Sequence, residues 1–192
     1  MQWFLAGVAL WLAADSALPV DIEARAYRID EATSSVTAQV PVLGFAGRTI
    51  RFPKMQGKVM VSTRDPEGVR LEINLDTRAV TASDRFTQAQ VRGPMFFDAE
   101  HFPTLRFIGH RFRVQSALAG ELDGEMTIRG VTKPATLHVV FAQSPLQQPV
   151  DTPLALTAVA TINRRDFGMT AMPLLVGRRV AVTIQATLLP IS

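Results

Sequence analysis

Strict alternation of apolar and polar residues is the feature of this sequence that most limits how it can fold. Residues 69–76 read Val-Arg-Leu-Glu-Ile-Asn-Leu-Asp, and the same period of two recurs over 136–141, 154–162 and 180–188. Because successive side chains of a β-strand point to opposite faces, each stretch predicts a strand with one apolar face. The chain is therefore expected to consist mainly of sheet that is buried on one side.

The remaining pattern predicts an all-β domain with one short helix. Further strands are expected at Ser35–Val40, Lys58–Thr63, Thr104–Gly109, Arg111–Leu118 and Gly120–Arg129. Ser83 is expected to cap a short helix that ends at Arg92, before Gly93-Pro94. The residues of this helix expected to face the core are Phe86, Ala89 and Gln90. Short connections and the absence of crossover helices predict an antiparallel sheet of seven to nine strands, closed as a barrel or stacked as a sandwich.

A barrel of about eight strands has a lumen that either is filled by its own side chains or holds one slender ligand. The inward residues of this chain are mostly small or medium in size. Ala158, Ala160 and Ala186 in particular predict space along the strands. Two interpretations follow: an apolar tunnel, or interlocked packing of these alanines against phenylalanines.

Composition and spacing exclude several function classes. The chain has 20 basic and 17 acidic residues, a net charge of +3, and its arginines are mostly scattered singly, which does not predict a nucleic-acid-binding surface. A weak attraction to anionic lipid surfaces remains as an expectation. There is no cysteine, and the three histidines, His101, His110 and His138, are too far apart in sequence to predict a metal site. No nucleophile elbow or phosphate-binding loop is present, so no catalytic residues are predicted.

The N-terminal segment predicts export. Residues 3–14 form an apolar run, and Ala14 and Ser16 are small enough to precede a cleavage site after Ser16. This assigns 1–16 as a signal peptide and 17–192 as the mature domain. Lys and Arg are absent before the run, so a first buried helix or strand is the alternative interpretation.

Three ordered segments carry a family resemblance. They are Gly93–Phe107 (containing Phe-Phe-Asp and Phe-Pro-Thr-Leu-Arg-Phe), Gly120–Pro134 (ending in Gly-Glu-Met-Thr-Ile-Arg-Gly-Val-Thr-Lys-Pro) and Ile162–Met169 (Ile-Asn-Arg-Arg-Asp-Phe-Gly-Met). Their order and spacing resemble the YceI-like family of bacterial polyisoprenoid-binding proteins, from about Tyr27 to Leu188. The family's opening histidine has no counterpart here, because residues 30–36 contain none.

This resemblance implies an extended, lipocalin-like antiparallel β-barrel in the periplasm, whose lumen holds the prenyl tail of a quinone or related isoprenoid lipid. It implies a binding or carrier protein that needs no other cofactor. An enzyme acting on a small or lipidic substrate, and a stress-related interaction protein with a filled barrel, are the alternatives. The sequence predicts no oligomeric state.

The candidate ligand-binding residues are large or adaptable apolar side chains that are expected to line the lumen or close its end. They are Phe86, Phe96, Phe97, Phe107, Met126, Phe141, Phe167 and Met169. The alternative for each is ordinary core packing. Arg164, Arg165 and Asp166 are expected either to hold a polar headgroup or to form an ion pair that orders the barrel rim.

Overall fold

The computed structural model describes residues 24–62, 65, 67–149 and 151–191, and these residues form eleven β-strands and one α-helix. The elements are β1 (Ala24–Ile29), β2 (Ser35–Val42), β3 (Phe45–Phe52), β4 (Met55–Ser62), β5 (Val69–Asp76), β6 (Thr81–Ala82), α1 (Arg85–Arg92), β7 (Thr104–Val114), β8 (Ala119–Ile128), β9 (Val131–Phe141), β10 (Leu154–Asn163) and β11 (Arg179–Ile191). The predicted signal peptide, 1–16, and the start of the mature domain at Ala17 lie outside the described residues.

All strand pairs are antiparallel, and the sheet closes on itself. The ring runs β1-β4-β5-β7-β8-β9-β10-β11, and β1 returns to β11 with Ala26 opposite Ile191. Further along β11, Ala181–Gln185 pair with β2, whose hairpin partner β3 extends the wall and carries the short β6. The predicted antiparallel barrel of about eight strands with one short helix is confirmed.

The barrel has two different ends. At the upper end lie the β2–β3 turn, α1, and residues 93–103 and 164–178. At the lower end lie the first residue of β1, the last of β11, the β7–β8 turn and the β9–β10 connection. No helix in the described part of the chain is long and apolar enough to cross a membrane.

The alternating residues form the core, as predicted. Every second residue is buried in β5, from Val69 to Leu75, and in β11 from Val180 to Leu188. The expected face of each strand therefore points into the barrel.

Three strands and several strand boundaries differ from the prediction; β4 begins earlier, at Met55, and β9 begins earlier, at Val131. β1 and β3 were not expected, because arginines interrupt their apolar pattern, and β1 pairs only with strands that are distant in sequence. The two-residue β6 was not expected either. β7 is one strand, not two. Its register shifts between Gly109 and Arg111, and this irregularity produced the apparent break in the alternation.

The helix also differs in its cap and its orientation. Asp84, not Ser83, is the N-cap, and its carboxylate accepts the Thr87 backbone N–H at 2.8 Å. Phe86 and Ala89 were expected to face the core, yet both are exposed, and Val91 is the buried residue. The reason is that α1 lies across the barrel rim, so that Phe86 borders the interior while remaining exposed and only Val91 is buried.

Candidate functional site

The upper half of the barrel encloses a cavity of about 270 Å³. Its wall combines β2 and β3 with residues of β5, β7, β8, β9, β10 and β11, and α1 forms part of its roof. Among the described residues that line it, the polar ones are Arg48, Thr87, Gln90 and Arg164, and all others are apolar. Such a lining offers few hydrogen-bond partners to water, so the cavity suits an apolar occupant.

The lower half of the lumen is packed with side chains. Buried residues of that half, including Tyr27, Val59 and Leu188, belong to the core and lie outside the cavity lining. Phe112 and Phe141 meet there edge to face, with their ring centroids 6.0 Å apart. Apolar space is therefore present in the upper half of the barrel, and interlocked side chains occupy the lower half.

The space is not beside the alanines that predicted it. Ala158, Ala160 and Ala186 are buried in the core but do not line the cavity. Ala38 of β2 lines it instead. Where space remains depends on the height along the barrel axis at which strands distant in sequence place their large side chains. The alternation within a single strand does not contain that information.

Six of the eight candidate ligand-binding residues line the cavity. They are Phe86, Phe96, Phe97, Phe107, Met126 and Met169. Phe141 lies in the packed lower half, and Phe167 is a buried core residue that does not reach the cavity. Whether the six contact a ligand stays a prediction.

Two parts of the lining contain residues that were not among the candidates. One is the inner face of the β2–β3 hairpin, including Val36, Ala38 and Ile50. The other is the connection before β11, residues 169–177, which we call the strap; beyond the candidate Met169, its Met172, Leu175 and Val176 line the cavity. The alternation within Ser35–Val40 was a usable signal for the first, whereas the irregular strap carries no periodic signal.

Arg129 positions two of the cavity phenylalanines. Its Nη1 donates hydrogen bonds to the carbonyl oxygens of Pro94 at 2.9 Å and of Phe96 at 2.7 Å. These bonds hold the turn that carries Phe96 and Phe97, and the Phe97 ring packs edge to face on Phe52, with centroids 5.5 Å apart. The aromatic part of the wall is thus fixed by both polar and apolar contacts.

Arg164 holds the strap over the end of β10. It is 2% exposed, and its Nε and Nη2 donate to the carbonyl oxygens of Gly177 at 3.0 Å and Val176 at 2.8 Å. Its Nη1 donates to the carbonyl of Met169. Burial lowers the pKa of the Arg164 guanidinium, with a smaller contribution from neighbouring Arg165. Arg164 thus orders the rim through backbone carbonyls, while Asp166 accepts a hydrogen bond from Asn163 at 2.8 Å.

The mouth of the cavity lies between α1 and the strap. Phe86 of α1 and Leu175 of the strap line the cavity, yet they are 72% and 51% exposed, so the cavity reaches the surface between them. Arg48 of β3 lies 3.8 Å from the Asp84 carboxylate and connects the hairpin to the helix. The Thr87 backbone N–H and hydroxyl both donate to Asp84, and these bonds lower its pKa.

Comparison with known proteins identifies the family. A family model described as the YceI-like domain matches residues 27–188. The chain belongs to the YceI-like family. The predicted family membership is therefore confirmed, and the match spans the whole closed ring of strands apart from a few terminal residues.

The relatives found by sequence are distant. A UPF0312 protein of Pseudomonas fluorescens is 24% identical over 138 residues, which cover 69% of this chain and 70% of the relative. A UPF0312 protein of Vibrio cholerae is 24% identical over 167 residues, which cover 86% and 88%.

Solved structures share the fold of this YceI-like chain. BcnA of Burkholderia cenocepacia superposes with a TM-score of 0.73 at 20% identity, covering 83% of this chain and 98% of BcnA. A polyisoprenoid binding domain from Saccharophagus degradans gives 0.63 at 13% identity, covering 86% and 98%. The YCEI protein of Campylobacter jejuni gives 0.63 at 16% identity, covering 74% and 84%.

Proposed function

We propose that this protein binds an isoprenoid lipid and holds its tail in the upper cavity. The observation that carries the proposal is an apolar cavity of about 270 Å³ with a mouth at the barrel end. The similar structure from Saccharophagus degradans is that of a polyisoprenoid binding domain, which supports the same ligand class here. Burial of a hydrocarbon chain needs shape and apolar surface, and the lining supplies both.

The cavity volume sets the length of tail that fits. An apolar cavity of about 150 Å³ accommodates benzene, which corresponds to roughly 25 Å³ per carbon atom. At that ratio, 270 Å³ holds roughly eleven carbons, about two isoprene units. A longer tail therefore either leaves its remainder outside the mouth or requires the packed lower half to open.

The distribution of polar groups supports one orientation of the lipid. Arg48, Thr87 and Gln90 belong to the hairpin and α1, which meet at the upper end, whereas the deeper lining is apolar and includes Ile73, Met126 and Leu137. The tail therefore enters first, and a polar headgroup such as a quinone ring stays near these three side chains. General acid–base catalysis uses a titratable side chain at the ligand, most often His, Asp or Glu and in other cases Lys, Tyr or Cys. The described lining residues include none of these types, which favours binding over catalysis.

We further propose that the protein acts in the periplasm as a carrier. The support is the apolar run at residues 3–14, which has the length of a secretory signal. A protein that shields a prenyl tail from water is suited to moving such a lipid through an aqueous compartment.

Calorimetric titration with prenyl alcohols of increasing length tests the binding function. We expect saturable binding whose affinity rises from the five-carbon prenol to the ten-carbon geraniol and then changes little for the fifteen-carbon farnesol. The plateau follows from the capacity of the cavity. Absence of binding for all three alcohols would overturn the proposal.

A pair of tryptophan variants tests the location of the site. With Trp3 and Trp11 replaced by Phe, Phe97→Trp places an indole in the cavity lining, and Phe112→Trp places one in the packed half as the matched control. We expect farnesol to shift the emission of the Phe97→Trp variant and to leave the control unchanged. Equal shifts in both variants would show that the lipid is not confined to the upper cavity.

A further inference from the structure

Highly exposed apolar side chains surround the mouth of the cavity. Among the described residues, four large apolar side chains are at least 70% exposed: Leu146 at 86%, Leu174 at 84%, Phe86 at 72% and Leu43 at 70%. Leu43, Phe86 and Leu174 lie at the upper end, and Leu146 lies at the lower end. Single exposed apolar residues are common, but a group that surrounds a lipid-sized cavity indicates a binding surface.

These side chains belong to segments that are held together. The Leu43 N–H donates to the carbonyl of Leu175 at 2.8 Å, and the Gly177 N–H donates to the carbonyl of Pro41 at 2.8 Å. The β2–β3 turn and the strap therefore lie side by side. Leu175 and Phe86 continue from this surface into the cavity lining, so apolar surface extends from the outside to the interior.

Positive charge flanks the mouth, while the neighbouring segment 93–103 at the same end carries Asp98 and Glu100. The three segments that form the mouth, 41–49, 84–92 and 164–179, contain seven arginines and two aspartates, a formal charge of +5, whereas the whole chain carries +3. Arg85, Arg165, Arg178 and Arg179 are exposed there. The arginines that are scattered in the sequence are brought together by the fold. Exposed apolar tips flanked by arginines match the interface of an anionic bilayer, where apolar groups enter the acyl boundary and cations contact the headgroups.

We infer that the mouth docks on an anionic phospholipid membrane, with Leu43, Phe86 and Leu174 entering the interfacial region. This inference rests on the proposed function, because a lipid tail is the cargo that gains from such docking. A tail that passes from the bilayer into the cavity across this surface does not have to enter water. The continuous apolar path from Phe86 and Leu175 inward provides that route.

Vesicle flotation tests the docking surface. The probes are vesicles of phosphatidylcholine alone and of phosphatidylcholine mixed with phosphatidylglycerol. Leu174→Asp changes the mouth without touching the cavity lining, and Leu146→Asp is the matched control, equally exposed at the opposite end. We expect the wild type and Leu146→Asp to float with the anionic vesicles, less so at high salt, and Leu174→Asp to bind them at least tenfold more weakly.

Farnesol titration of the same proteins separates this inference from the proposed function. We expect all three to bind farnesol alike. A wild type that binds farnesol but neither vesicle overturns the docking inference and leaves a partner protein as the occupant of this surface. Equal vesicle binding by both aspartate variants also overturns it. Failure of the wild type to bind farnesol overturns the proposed function instead.

Discussion

Replacing Ala38 with phenylalanine tests whether the upper half of the barrel is empty. Ala38 lies on β2 opposite Ile50 and Val182, is 7% exposed and lines the cavity. A phenyl ring at this position points into the 270 Å³ space rather than into packed protein. The substitution is therefore expected to raise the stability of the protein and to lower its affinity for lipid.

The magnitudes follow from the cavity volume. A phenyl ring occupies about 150 Å³, which leaves about 120 Å³, or room for about five carbons. Geraniol then loses burial of about five carbons, worth up to about 4 kcal/mol at ~0.8 kcal/mol per carbon, or about a thousandfold in affinity. Because part of the ligand can shift toward the mouth, we expect a loss of about tenfold to a thousandfold. Filling the void adds about 0.5–2 kcal/mol of stability, and each kcal/mol raises Tm by about 2–4 °C.

Calorimetric titration measures the affinity, and scanning calorimetry measures Tm. Ala181→Phe is the matched control, since Ala181 is exposed on the outer face of β11. We expect the control to bind geraniol like the wild type, and we expect Ala38→Phe to retain binding of prenol. A variant with lower Tm and unchanged geraniol affinity would show that no usable space adjoins Ala38, and the reasoning would be refuted.

Three further predictions concern the elements that shape the cavity. Gly124→Ala places a Cβ 2.2 Å from the Ile108 carbonyl oxygen and 2.6 Å from the Phe107 ring. We therefore expect the free energy of unfolding, measured by denaturant titration, to fall by about 1–3 kcal/mol. An unchanged denaturation midpoint would contradict this close packing. Arg164→Met removes the hydrogen-bond donor of three strap carbonyls, which lowers the free energy of unfolding by about 1–3 kcal/mol for each carbonyl that stays buried. We therefore expect limited proteolysis to cleave the variant within 169–177. A strap that resists cleavage would show that Arg164 does not hold it. The depressed pKa of Asp84 means that its charge stabilises the start of α1 above its unfolded pKa and stops doing so as pH falls through the folded pKa. The protection of the Thr87 amide against hydrogen exchange, measured relative to the unstructured amide at the same pH, is therefore expected to fall in acid more in the wild type than in Asp84→Asn. An equal fall in both would contradict the assignment.

Much of the fold could be predicted because the alternation of apolar and polar residues within a strand shows which face of that strand is buried. The strands β5, β10 and β11 were predicted correctly, since one face of each is mainly apolar and the other mainly polar. β1 and β3 could not be predicted in this way, since Arg25, Arg48 and Gly47 interrupt their alternation and the partners of β1 are remote in sequence.

The site was predictable in kind but not in position. Phe97, Phe107 and Met126 were selected as large apolar residues near the family motifs, and they line the cavity. Phe141 was selected on the same grounds and lies in the packed half, because its level in the barrel depends on the register between β9 and β10. The clustering of arginines at the mouth depends likewise on which turns meet at one end.

Mass spectrometry of the lipid extracted from natively purified protein, never exposed to detergent, tests the central claim most directly. If the upper cavity holds an isoprenoid tail, the extract contains an isoprenoid lipid in near one-to-one ratio to the chain, and Ala38→Phe purified in the same way contains much less. An extract without isoprenoid from the wild type, or equal amounts from both proteins, would contradict the account.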